Sequence, residues 1–374
     1  MTHRERFMAV VNGETPDRIP WVPRLELWYR AHNTQGTLPA KYQGKTIEQV
    51  REMLNCGDPG RNNGILYETV YDNVEIKEEE THSTLTRTFV TPKGSVHELF
   101  RIDREAKEKG YSQTPGKAEC MFKDDADFEA VKYLIENIRY IPTYEKFTAY
   151  QNEVGDNGEV VLECGFDPFY SLMKDYIGLS EVFFALHDYP EEVDTLFHTL
   201  WDKQREVVNL LAKSPANIIL HGSHYDAMMT PPPIYKKYMQ PYLKEVSETF
   251  KSNGRILGVH ADADSKTLLE LYIESGIEVL DCYCTSPMVT VTMEETLERG
   301  GDKFVIWGGI PSTILVPEAY AYDDFVDYMK NYFKTLNKYK GKSRVIVAVG
   351  DNVVPEADIS RVEMISDMVD QFRY

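Results

Sequence analysis

The chain has 374 residues, 42% of them hydrophobic, and 60 acidic against 41 basic residues set its formal charge at −19. A core of that size suits one large unit, since α/β barrels with insertions often run to this length as a single domain spanning 1–374. No cluster of Lys and Arg offers the counterion release on which nucleic-acid binding depends, and a net-negative surface disfavours anionic membranes.

No run of 18 apolar residues occurs, so no transmembrane helix is expected. Met1 to Arg6 lack the apolar stretch of a secretory leader. The cysteines Cys56, Cys120, Cys164, Cys282 and Cys284 are odd in number and form no CxxC pair. These features predict reduced thiols and a cytoplasmic location.

Residues 2–12 (THRERFMAVVN) read as a short helix, ended by Gly13 and a Pro16-Asp17 turn. RIPWVPRLEL from Arg18 to Leu27 follows as a first strand, its prolines suiting an entry or edge position. Residues 46–55 look helical again. Within 72–102, DNVEIKEEE, THSTLTRTFVTP and SVHELFRI alternate polar and apolar residues. Pro92-Lys93-Gly94 marks a turn between the last two, so this stretch predicts an antiparallel excursion outside the main fold. Glu78-Glu79-Glu80 belongs to its solvated face. Helical patterns return at 125–153.

From residue 158 short apolar runs alternate with long amphipathic segments. The runs are VVLECGF (160–166), NIILHGSH (217–224), RILGVHAD (255–262), EVLDCYC (278–284), FVIWGGI (304–310) and RVIVAVGD (344–351). Helical stretches lie at 180–213, 232–253, 264–275, 290–299 and 322–340. Strand-then-helix alternation implies parallel strands with crossover helices. Six such units with the earlier ones predict an α/β fold, a (β/α)8 TIM barrel, in preference to an open doubly wound sheet. Neither GxGxxG nor GxxxxGK[ST] is present.

Nearly every run ends in residues capable of chemistry, where the strands of a parallel barrel converge on an active-site face. Glu163 and Asp167 flank the first; His221, His224 and Asp226 close the second; His260, Asp262 and Asp264 the third. Asp281, Cys282 and Cys284 close the fourth, and Asp351 the sixth. Residues i and i+2 of a strand share a face, so His260 and Asp262 can bind one ion. Imidazole and carboxylate are ordinary zinc ligands, and His221, Asp351 or Cys282 can supply a third. Asp264 reads as the cap of the next helix. His221 and His224 read as an acid/base pair or as metal ligands. Cys282 and Cys284 are more ordinary as buried hydrophobes. Trp28, Phe166 and Tyr225 belong to an aromatic set suited to a flat substrate.

The chain resembles the uroporphyrinogen decarboxylase superfamily, which includes cobalamin-dependent methyltransferases. The likeness lies in RERFMAVVNGETPDRIPW, TPPPIYKKYMQPYLKEV, GVHADAD, GGIPSTILV and AVGDNVVPEADISRVEMISDMV. Two departures matter. The early arginine-rich segment of true decarboxylases is matched here by VPRLELWYRAHN, with Glu26 between Arg24 and Arg30, and the acidic surface suits a polycarboxylate poorly. Where methyltransferase members carry His-x-Cys and a later Cys, the matching positions are His260, Asp262 and Asp351. Carboxylates in place of thiolates make a harder Lewis acid, suited to an ether or alcohol oxygen.

The resemblance therefore implies a methyltransferase. It would take a methyl group from a methoxylated aromatic compound and pass it to a corrinoid on a partner protein. Zn2+ would sit on His260, Asp262 and Asp351. His221 or His224 would protonate or orient the leaving oxygen. Glu163, with Arg24, Trp28, Phe166 and Tyr225, would hold the substrate. The rivals are a metal-free decarboxylase that binds a carboxylate through Arg24, and a non-catalytic corrinoid- or partner-binding barrel. Cys282, Cys284 or His221 can replace Asp351 as ligand. The sequence leaves the oligomeric state open, a homodimer among the options.

Overall fold

The computed structural model describes residues 1–61, 65–112 and 114–372. The first helix, His3–Val11, begins with a capping box in which Thr2 and Glu5 satisfy each other's backbone N–H groups. Among the described residues twelve strands follow. β1 (Tyr67–Tyr71), β2 (Glu75–Glu80), β3 (Thr84–Thr91), β4 (Gly94–Arg101), β5 (Gly116–Glu119) and β6 (Ile138–Pro142) make antiparallel pairs. β7 (Leu162–Glu163), β8 (Ile218–His221), β9 (Ile256–His260), β10 (Val279–Tyr283), β11 (Val305–Pro311) and β12 (Arg344–Gly350) form one parallel sheet in sequential order. The chain is thus a mixed α/β fold around a six-stranded parallel sheet.

The parallel strands read as unbroken apolar runs because both their faces are buried, β8 and β11 along their full length. One face forms a compact cluster of Val22, Val161, Ile218, Leu220, Val279, Val305, Trp307, Ile346 and Ala348. Phe7 of the first helix closes its lower end, meeting Trp307 edge-on at 4.9 Å between ring centroids. The alternate residues Ile219, Leu257, Val259, Leu280, Ile306, Val345 and Val347 join a larger cluster shared with the helices. The inner face is tight: a Cβ at Gly258 would overlap the Leu220 side chain.

Two extended segments precede the sheet. Val22 and Pro20 exchange backbone hydrogen bonds with Val347, Gly57 donates to the Trp21 carbonyl, and Val161 donates to Gly60. The expected first strand, 18–27, is reduced to a single bridge between Trp21 and Val347. Pro20 and Pro23 cannot donate to a ladder, and a helix, Glu26–Gln35, takes over its end. The antiparallel excursion is larger than 72–102. β5 extends it to Glu119, while β6 returns to pair with β1 and interrupts the helical stretch expected at 125–153. Asp264 caps no helix: its carboxylate accepts from Lys266 N–H and from Thr290, and the helix begins at Leu269. Among the described residues, no helix is long and apolar enough to cross a membrane.

Candidate active site

The two-residue period of a strand carries the inner row past the apolar cluster into charged residues. Val22 is followed by Arg24, Val161 by Glu163, Gly258 by His260 and Val279 by Asp281. These side chains meet beyond the C-terminal ends of the strands. In the register between β9 and β10, His260 lies opposite Asp281, and His260 Nδ1 is 2.8 Å from Asp281 Oδ2. Glu163 Oε1 lies 3.7 Å from the same nitrogen. His260 Nε2 faces Asp262 Oδ2 at 3.6 Å, and Asp262 Oδ1 is 2.6 Å from His224 Nδ1. The two imidazole rings are 4.6 Å apart, near perpendicular.

Two arginines brace the acidic residues. Arg61 pairs with Asp281 and approaches Glu163 at 3.5 Å. Arg24 lies 3.3 Å from Cys282 Sγ and 3.1 Å from Asp351 Oδ1. Cys282 and Asp351 hold positive φ angles of 53° and 64°, a region costly for residues with a Cβ. Burial alone would raise the Asp281 carboxyl, but the Arg61 charge and the His260 hydrogen bond hold it well below its usual range. Asp262 is held low against burial by His224 and then His260. Burial would lower His260, yet the Cys282 charge and the hydrogen bonds to Asp262 and Asp281 raise it well above 6.5.

Among the described residues, three sets of ligand atoms each fall within 4.8 Å of one another: His224, His260 and Asp262; His260, Cys282 and Asp351; Glu163, His260 and Asp281. His260 belongs to all three. Asp262 and Asp351, expected to share an ion with it, fall into different sets. The donors on offer, imidazole nitrogen, carboxylate oxygen and thiol sulfur, are those zinc prefers.

His221 is not brought to this cluster. Its strand parity follows Ile219, so it faces the helices, nearly fully buried beside Tyr242 at 5.6 Å between centroids. Burial lowers its pKa to about 4. Tyr225 is fully buried and donates to Asp167 at 2.8 Å, while Asp167 caps the short helix Pro168–Ser171. Trp28 is buried against His32 and Tyr42. Phe166 stays near the site, a Cβ on Gly222 falling 3.1 Å from Glu163 Oε2 and 3.3 Å from the Phe166 ring. It also lines a groove of about 960 Å³ between β5 and the helix Glu181–Asp188. Cys284 is buried, and burial pushes its thiol up.

Sequence reasoning missed Arg61 and the pairing role of Asp281. Asp281 was legible as a strand-end acid opposite His260 once β9 and β10 are aligned. Arg61 follows Gly-Asp-Pro-Gly in a segment with no strand pattern, and nothing local marks it.

No curated protein matches the chain. Among solved structures, a methyltransferase from Methanosarcina mazei shares the fold, with a TM-score of 0.60, 12% identity and 99% of each chain covered. A sugar phosphate isomerase/epimerase from Parabacteroides distasonis aligns over 62% of this chain and 77% of its own, at 11% identity and a TM-score of 0.34. Residues 125–372, more than half of the sequence, match the model of the uroporphyrinogen decarboxylase family, and the chain belongs to that family.

Proposed function

We propose that this protein is a methyltransferase that takes a methyl group from a small methoxylated aromatic compound and delivers it to a corrinoid carried by a separate protein. We place a zinc ion on His260 and Asp262. The observation that carries the reading is the lock on His260. His260 Nδ1 is held 2.8 Å from the Asp281 carboxylate while Nε2 faces Asp262, so a metal ion bound at Nε2 would take the place of the proton there. A carboxylate behind a histidine in this way fixes its tautomer and raises its basicity as a ligand. Zinc bound there supplies Lewis acidity toward an ether oxygen.

The chain's own residues would bind and orient. The Phe166 ring, half-buried beside Glu163, offers an apolar wall for an aryl group, and Glu163 stands exposed at the rim to orient polar substituents. Arg24 and Arg61 are engaged by Asp351 and Asp281, which leaves them poorly placed to grip substrate carboxylates and counts against a decarboxylase. His221 faces away from the cluster and takes no part in this scheme. The fold shared with a methyltransferase supports the reaction class. We also read the segments around Trp21 and Gly57–Gly60 as the first two staves of an eight-stranded barrel, and residues 1–374 as one unit. Their backbone hydrogen bonds to Val347 and Val161 support this.

The test is methyl transfer from a panel of methoxyarenes to a reduced corrinoid protein, together with metal analysis. Wild-type protein is expected to hold zinc and transfer methyl, and His260→Ala to lose both. Full transfer by metal-free protein would sink the Lewis-acid role.

A further inference from the structure

The charged cluster has two sides that meet at His260, and they are unlike in one respect. On the first, Cys282 Sγ and Asp351 Oδ1 already share a cation. Arg24 Nη1 lies 3.3 Å from the sulfur and 3.1 Å from the oxygen. Asp351 is further tied by the Asn352 amide at 2.9 Å. Arg61 adds a second guanidinium 3.8 Å from the same sulfur. An ion entering between Cys282 and Asp351 would stand against fixed positive charges in a part-buried setting where water screens little. On the second side no arginine or lysine contributes among the described residues. The partners of Asp262 are the imidazoles of His224 and His260.

We infer that Arg24 is a built-in cation that occupies the Cys282–Asp351 half of the cluster and directs a divalent metal ion to His224, His260 and Asp262. Three considerations support this assignment of the third ligand. His224 Nδ1 and His260 Nε2 both face the Asp262 carboxylate, whose two oxygens divide between them. His260 is held from behind by Asp281, and Asp281 by Arg61, so the ligand geometry rests on a buried, neutralised pair. His224 is 41% exposed at its side chain, so this side opens to solvent and keeps room for a fourth, exchangeable ligand. The inference rests on the metal-assisted reading above and sharpens it. The thiol and Asp351 become the seat of an arginine instead of ligands.

The experiment loads full-length apo-protein with Zn2+ or Co2+ alone and follows affinity and the cobalt spectrum. Wild-type protein is expected to bind one ion without a thiolate-to-cobalt charge-transfer band. Cys282→Ser and Asp351→Asn should keep zinc affinity within about threefold. His224→Gln should weaken it on the order of 100-fold, the size of a lost ligand. Arg24→Gln, by emptying the other half, should bring the thiolate band into view. Melting curves of each apo-variant separate ligand loss from unfolding. A thiolate band in the wild type, or a loss on Cys282→Ser as large as that on His224→Gln, would overturn the inference while leaving the metal reading intact. Absence of stoichiometric metal binding in the wild type would overturn both.

Discussion

Replacing His221 with asparagine removes one buried imidazole and leaves the charged cluster untouched. His221 lies on the helix-facing side of β8, with a pKa lowered to about 4 from an ordinary 6.5, chiefly by burial. The folded protein holds it neutral, whereas the unfolded chain protonates it below 6.5. Between these values the unfolded state binds more protons, so stability falls as the pH drops from 6.5 towards 4. Full development amounts to about 3 kcal/mol, and between pH 7 and pH 5 to about 2 kcal/mol. Urea unfolding of wild type and His221→Asn at pH 7 and pH 5 isolates this contribution, because other titrating groups cancel in the difference. Wild type is expected to lose about 2 kcal/mol more than the variant over that interval. Parallel losses would mean that His221 is solvated or hydrogen-bonded as an imidazolium, and the burial argument would fail.

Asp281→Asn leaves the Arg61 guanidinium buried without its counter-charge and should cost about 3–5 kcal/mol in denaturant unfolding. Joint replacement, Arg61→Met with Asp281→Leu, should recover most of that loss, and equal losses in both proteins would refute the pairing. Gly258→Ala drives a methyl group into the Leu220 side chain beneath His260 and should cost about 1–3 kcal/mol. In a double-mutant cycle with Leu220→Ala the two changes should cost less together than their sum, and strict additivity would show that the inner face has slack.

The parallel half of the fold was plain in the sequence because its strands are buried on both faces and its helices are long. The run from Ile346 to Gly350 admits little else. Faces were harder to assign than strands. His221 and His224 sit three residues apart at one strand end, and composition treats them alike. The strand stops at His221, whose parity turns it toward the helices, while His224 lies in the following loop and turns back to Asp262. His260 and Asp262 were legible together, since a two-residue step keeps them on one side. Tyr225 and Trp28 are aromatic for packing, which nothing in their local pattern distinguishes from contact with a substrate. The weak first strand was obscured by Pro20 and Pro23, and Arg61 by its place in a segment held mainly by long-range hydrogen bonds.

The bracing of the acidic residues has a consequence in time. Arg24 and Arg61 are synthesised well before Asp281 and Asp351, so during translation the cations wait, hydrated, while most of the chain is still to come. Both lie outside the stretch 125–372 that matches the family model. The acids at the mouth of the sheet are therefore neutralised by a segment made earlier than they are, and Asp281 cannot enter its ion pair until that segment has docked. A sheet that closed without that segment would leave the Asp281 carboxylate to the His260 imidazole in place of a paired guanidinium.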